Sequence, residues 1–330
     1  MLVSIVGTSL IWLLAIVGVA AILIAFMLAT PLRPPQPLAL IHEGAGKIDY
    51  TEMPELSRFQ ARDGTWLAYR LYPASGGARD SLAILAHGSS ALSNAMNGVA
   101  RALAEGGVAT VAIDARGHGA SGSRGDIGYI GQLDDDLADL VAELRKSYPN
   151  AKLTLMGHSS GGGFALRVAA GLVGALFDHF ILLAPYLGHR APTNLPTAES
   201  GRWAAPDLPR ILAIAALRRL GVDWPQTLPV VAFANSPEAG KAVTSRYSFR
   251  LLENYGPPED WKGAILATRG RVEIIAGAKD QLMDAKAYTN ALAPLGMRVT
   301  ILADVDHMGI VHQAAALRTI VEATKPAGGI

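Results

Sequence analysis

The sequence predicts an α/β protein, with a mostly parallel central sheet, helices on both faces and a transmembrane helix in front. Three observations predict it. Residues 82–86, 109–113, 153–156, 180–183 and 272–276 are short apolar runs without strict alternation, as in strands covered on both faces. Helical patterns lie between them at 94–105, 133–147 and 162–171. Such alternation of strand and helix implies parallel pairing through crossover helices. Finally, residues 1–30 carry no charged side chain, and about 20 apolar residues suffice to cross a bilayer.

Residues 1–30 are expected to be a retained single-pass anchor. The basic n-region of a signal peptide is absent, the apolar run is too long, and no small-x-small cleavage site follows. Basic residues appear only after the span, at Arg33, Lys47, Arg58 and Arg62. That small bias favours a cytoplasmic body and leaves the orientation open. Residues 31–56 read as a Pro-rich linker. The run Pro31-Leu32-Arg33-Pro34-Pro35-Gln36-Pro37 favours extended backbone and a stiff spacer that lifts the body off the membrane. Residues 59–61 and 66–72 flank Arg62-Asp63-Gly64-Thr65, a hairpin pattern. The core then runs through 57–186 and 269–325. Residues 187–268 interrupt it, are too long for an ordinary connection and carry a pattern of their own, so they are read as an insertion.

Composition excludes several classes. Lys and Arg number 29 against 28 Asp and Glu, a net charge of +1, with no basic excess to bind nucleic acid. There is no cysteine, which removes disulfides, thiolate metal sites and cysteine nucleophiles. His87, His118, His158 and His307 come from separate strand ends, without the spacing of a zinc site. Neither metal nor cofactor is expected.

Ligands bind beyond the C-terminal ends of strands in such sheets, and five strand ends here carry polar residues. After 82–86 comes His87-Gly88-Ser89-Ser90. After 109–113 comes Asp114-Ala115-Arg116-Gly117-His118-Gly119-Ala120-Ser121. After 153–156 comes Gly157-His158-Ser159-Ser160-Gly161-Gly162. After 272–276 comes Gly277-Ala278-Lys279-Asp280, and after 298–302 comes Asp304-Val305-Asp306-His307. The third segment reads as strand, sharp turn and helix with Ser159 at the apex, a strained turn that exposes a serine hydroxyl. Its glycines permit close approach of strand and helix, and a helix N-terminus there favours negative charge.

Carried by these motifs, roughly 57–324 resembles the α/β-hydrolase superfamily, and within it the monoacylglycerol lipase, lysophospholipase and serine aminopeptidase-like group. The resemblance implies an α/β-hydrolase fold with an inserted cap over the active site. One departure is Ser160, where relatives commonly carry Met, which makes the pocket floor more polar.

A serine hydroxyl needs a base to attack. Ser159 is the expected nucleophile and His307 the expected base, with His312 as its rival. Asp280 is the expected acid. Asp284 ranks second and reads as the cap of a helix from Ala285, while Asp306 adjoins His307 in sequence. The order serine, acid, histidine is the one this fold uses. The backbone N–H groups of Ser89 and Ser160 are the expected oxyanion hole. His118 and His158 are read as structural. The expected function is a serine hydrolase that cleaves carboxylic esters through an acyl-enzyme, on small-molecule or lipid-derived esters such as a monoacylglycerol or lysophospholipid. Amidase, peptidase, thioesterase and acyltransferase chemistry use the same triad. A non-catalytic binding module on the same scaffold is the alternative of another class.

Overall fold

A computed structural model describes residues 2–196, 201–268 and 270–325. Helices α1 (Leu2–Ala29) and α2 (Ala39–Gly46) come first. They are followed by β1 (Leu56–Gln60), β2 (Trp66–Tyr72), β3 (Ser81–Ala86), α3 (Asn97–Glu105), β4 (Ala109–Ile113), α4 (Gln132–Arg145), β5 (Lys152–His158), α5 (Ser160–Ala170) and β6 (His179–Leu183). The segment after β6 holds β7 (Ala204–Pro206), α6 (Leu208–Arg219), β8 (Pro229–Phe233), β9 (Arg246–Ser248), α7 (Phe249–Asn254) and α8 (Trp261–Ala267). Then come β10 (Val272–Gly277), α9 (Ala285–Leu292), β11 (Arg298–Leu302) and α10 (Ala314–Ala323).

Eight strands form the main sheet in the order β1-β2-β4-β3-β5-β6-β10-β11. The β1–β2 and β2–β4 pairs are antiparallel and all others parallel. The runs lack alternation because both faces are covered. Ile84, Leu155, Leu182 and Ile274 pack on one face with Leu137 and Leu140 of α4 and Phe164 of α5. Their neighbours Leu85, Met156, Ile181 and Ile275 point the other way, toward Val99 and Leu103 of α3 and Ile320 of α10. Each such buried side chain contributes roughly 1.5–3 kcal/mol. Successive parallel strands deliver their C-terminal ends to one edge, where the polar motifs collect.

The insertion builds a small antiparallel sheet in the order β7-β8-β9, with Ile214, Val230 and Phe249 as its own core. Asp207, Ser248 and Asp260 cap α6, α7 and α8 through side-chain oxygens that accept backbone N–H bonds.

The chain before β1 differs from the expected spacer. Residues 39–46 are free of proline and form α2, and Leu38 and Ile41 are buried with Ala234 against Trp203, Leu282 and Met308. The His42 Nε2–H donates to the Ala234 carbonyl at 2.7 Å. A Cβ on Gly44 would lie 2.6 Å from Met308 Cβ, so only glycine allows this contact. The proline run itself lies outside any helix, and the apolar residues after it are buried, so this part of the segment folds onto the body.

Ser9–Ala29 is long and apolar enough to cross a membrane, with a mean hydropathy of 2.9. The last turn of α1 is anchored to the insertion. Leu28 packs on Ile214, Val230 and Phe249. The Thr30 hydroxyl donates to Asp207 at 2.7 Å, and Arg210 donates to the carbonyls of Leu28, Thr30 and Pro229.

Candidate active site

Ser159 sits between β5 and α5 with φ 54° and ψ −118°. A non-glycine residue at positive φ is strained and persists only where its surroundings hold it. Here the Ser159 amide donates to the Leu183 carbonyl at 2.9 Å, and its carbonyl accepts from Gly162, Gly163 and Tyr186. A Cβ on Gly157 would collide with the Gly161 carbonyl, and one on Gly161 with the His87 carbonyl. The turn therefore requires both glycines.

Three of the expected residues meet at this apex. Ser159 Oγ donates to His307 Nε2 at 3.1 Å, and His307 Nδ1–H donates to Asp280 Oδ2 at 2.7 Å. All three residues are buried. The other Asp280 oxygen accepts the amides of Leu282 and Met283, each at 2.8 Å. That fixes the carboxylate and hence the imidazole tautomer. Ser89 lies on the loop after β3, and Ser160 opens α5 directly after the serine. A Cβ on Gly88 would lie 3.5 Å from Ser159 Cβ, so the β3 loop abuts the nucleophile turn. Among the described residues neither the Ser89 nor the Ser160 amide has an acceptor.

The rivals lie elsewhere. Asp284 caps α9, accepting from the amides of Lys286 and Ala287. Asp306 accepts from Gly309 N. His312 follows a short 3-10 turn, and its backbone lies beside Gly98 of α3. Burial lowers its pKa.

The remaining histidines are tied into packing. His158 Nε2–H donates to the His307 carbonyl at 3.0 Å, which links the nucleophile strand to the histidine loop. Burial, aided by His307, pushes its pKa down to about 3, so the ring stays neutral. His118 Nε2 pairs with the Tyr247 hydroxyl at 2.6 Å, and Tyr255 donates to the His87 carbonyl at 2.6 Å. Burial lowers the pKa of His118 and of His87.

Several contributors were given no role from the sequence. The Gln281 side-chain oxygen accepts from the His307 amide at 3.2 Å. Asp114 accepts the amides of Ser93 and Ala120, which shapes two loops at the strand ends. From the insertion, the indole N–H of Trp203 donates to Ser89 Oγ at 2.7 Å. Asn235 is hydrogen-bonded to Ser90 Oγ, and the Tyr247 hydroxyl accepts from Ser90 N. These contacts span more than 100 residues of sequence. Only the aromatic character of the insertion hinted at them.

The parallel sheet, the strained serine turn and the late histidine define an α/β hydrolase. More particularly, the chain belongs to the family described as serine aminopeptidase, S33, which matches residues 77–301. Among solved structures it is similar to a soluble variant of monoglyceride lipase from Saccharomyces cerevisiae bound to a substrate analog. That match has a TM-score of 0.60 at 17% identity and covers 84% of this chain and 95% of that one. A monoacylglycerol lipase from Paleococcus ferrophilus matches with a TM-score of 0.54 at 18% identity, over 78% and 97% of the two chains. A membrane phospholipase A matches with a TM-score of 0.54 at 18% identity, over 98% of this chain and 99% of that one. At these identities the likeness is one of fold.

Proposed function

We propose that the protein is a serine ester hydrolase that acts on acyl esters of lipid character through an acyl-enzyme. The observation that carries this reading is the hydrogen-bonded line from Asp280 through His307 to Ser159, set beside two amides without acceptors. In the first half-reaction His307 Nε2 takes the Ser159 proton as Oγ attacks the ester carbonyl carbon. The carbonyl oxygen becomes an oxyanion and accepts from the amides of Ser89 and Ser160. His307 then returns the proton to the alcohol oxygen as the C–O bond breaks. In the second half-reaction His307 deprotonates a water that attacks the acyl carbon, releasing the carboxylic acid and restoring Ser159. Asp280 holds the imidazole and balances its transient charge.

Two features support a lipid substrate. Leu282 and Met308 follow Asp280 and His307 within two residues and pack on Leu38, Ile41 and Ala234, which sets an apolar cluster next to the triad loops in sequence. Solved structures that the fold resembles include lipases and a membrane phospholipase A. The apolar α1 serves as a retained membrane anchor in this reading, because its last turn is bonded into the insertion.

Labelling with a fluorophosphonate probe tests the proposal. Wild type labels and Ser159→Ala does not, and turnover favours long-chain over acetyl esters. An unlabelled, well-folded wild type overturns the hydrolase reading. Preference for aminoacyl arylamides over every ester moves the substrate to the peptidase side of the family.

A further inference from the structure

The β3 loop divides its polar groups in two directions. All those of Ser90 are spent on the insertion. Its amide donates to Tyr247 at 2.8 Å, its hydroxyl pairs with Asn235, and its carbonyl accepts from Thr244 N at 2.9 Å. These bonds hold Ser90 at φ 70°, a conformation that costs about 1–2 kcal/mol for a residue with a Cβ. The loop is thus clamped at Ser90. Ser89, one residue earlier, keeps its amide free.

The Ser89 side chain is also only half used. An indole nitrogen is a donor and never an acceptor. In the 2.7 Å contact between Trp203 Nε1 and Ser89 Oγ, the serine oxygen therefore accepts, and its own proton must point elsewhere. Among the described residues that proton has no acceptor. Ser89 is 9% exposed, so bulk water does not readily supply one. Trp203 is itself held, tilted against Phe233 with ring centroids 5.9 Å apart and packed on the cluster of Leu38, Ile41 and Ala234, which also receives Leu282 and Met308. Those two residues lie next to the triad loops. The Ser89 hydroxyl therefore belongs to the loop that abuts Ser159 and is held from the insertion by the indole of Trp203.

We propose that the Ser89 hydroxyl is a third oxyanion donor, aimed and polarised by the indole N–H of Trp203, so that Ser89 is a catalytic residue through its side chain and Trp203 a positioning residue. This rests on the ester-hydrolase reading of the site. As the ester carbonyl becomes tetrahedral, its oxygen gains charge and accepts from two amides and one hydroxyl. No proton is transferred from Ser89. A donor that is already accepting a hydrogen bond is a stronger donor, because linked bonds polarise one another. The ground-state carbonyl carries less charge, so the gain falls on the transition state.

The test compares Ser89→Ala, Ser89→Thr and Trp203→Phe with wild type. Phenylalanine keeps an aromatic ring in the packing and removes the N–H together with the second ring of the indole. Removing one oxyanion donor costs about 10²-fold in kcat. Ser89→Ala should fall by about that factor with KM within about twofold, and Ser89→Thr, which keeps the hydroxyl, should recover most of it. Trp203→Phe should lose about tenfold and add little to Ser89→Ala in the double variant. Affinity for a trifluoromethyl ketone, whose adduct carries the oxyanion, should fall in parallel with kcat/KM across the set. The proposal is overturned if Ser89→Ala keeps wild-type kcat, or if the losses appear in KM while the ketone binds unchanged. It is also overturned if the two single losses multiply in the double variant. Loss of folding in Ser89→Ala leaves Ser89→Thr and Trp203→Phe to decide by the same ketone correlation. Wild type that neither labels nor turns over an ester defeats the parent reading instead.

Discussion

Asp280 and Asp284 are one helical turn apart in sequence and make separate contacts. Spacing alone left both as partners for His307. The structure separates them because the β10 loop turns back at Asp280, where two amides clamp one carboxylate oxygen and leave the other for the imidazole. Asp280→Asn should lower turnover by roughly 10³- to 10⁴-fold while the protein stays folded. Asp284→Ala should leave turnover within about twofold and cost about 1 kcal/mol of stability through the lost cap. Steady-state kinetics and urea unfolding of both variants check this, and a turnover defect confined to Asp284→Ala would reverse the assignment. That Ser159, Asp280 and His307 meet was legible because the fold presents each at a strand end in a known order. Trp203 was not. Its partner Ser89 is 114 residues away, and nothing local marks an indole that donates to a loop rather than filling a core.

At the scale of elements, the loop after β4 is secured by charge. Arg116 donates to both oxygens of Asp136 on α4 and to Asp63 in the β1–β2 turn. Burial opposes its charge, yet the hydrogen bonds and charges of Asp136 and Asp63 prevail and raise its pKa. The Arg116 side chain is 6% exposed and that of Asp136 is 10% exposed. Removing one partner of such a pair leaves an uncompensated buried charge, which typically costs about 3–5 kcal/mol. Arg116→Ala should lose about that much by urea unfolding, and a loss under 1 kcal/mol would mean that water replaces the guanidinium. The motif around Arg116 was visible in the sequence, but its partners were not, since they lie 53 and 20 residues away. The short α2 was hidden for a related reason. Its few apolar residues gain their value from Ala234, Trp203, Leu282 and Met308, so the adjoining prolines dominated the reading.

The whole molecule is sensitive to acid through histidines it keeps neutral. Burial lowers the pKa of His87 and His118, and brings that of His158 to about 3. In the unfolded chain these rings take up protons as pH falls through about 6.5. The folded chain does not, down to about pH 3 at His158. The unfolded state then binds more protons, so stability is greatest above about pH 6.5 and falls as pH drops toward 3. The expected loss is on the order of a few kcal/mol by pH 4. Urea midpoints at pH 7.5 and pH 4.5 measure it, and a constant midpoint would contradict burial of the neutral rings. The sheet was readable at this scale because two-sided burial leaves continuous apolar runs in the sequence. The course of the insertion was not readable, because its small sheet gains stability from contacts with the core loops and with α1.

The seating of Leu28 and Thr30 sets where this protein can be cut. A water-soluble variant made by deleting the apolar helix must begin ahead of Leu28. Cleavage beyond Thr30 would strip Arg210 of two carbonyl acceptors and Asp207 of a hydroxyl, and would open the seam between Ile214, Val230 and Phe249. Processing of the N-terminus would reach the insertion by the same route, since the last turn of α1 is a structural part of the domain it leads into.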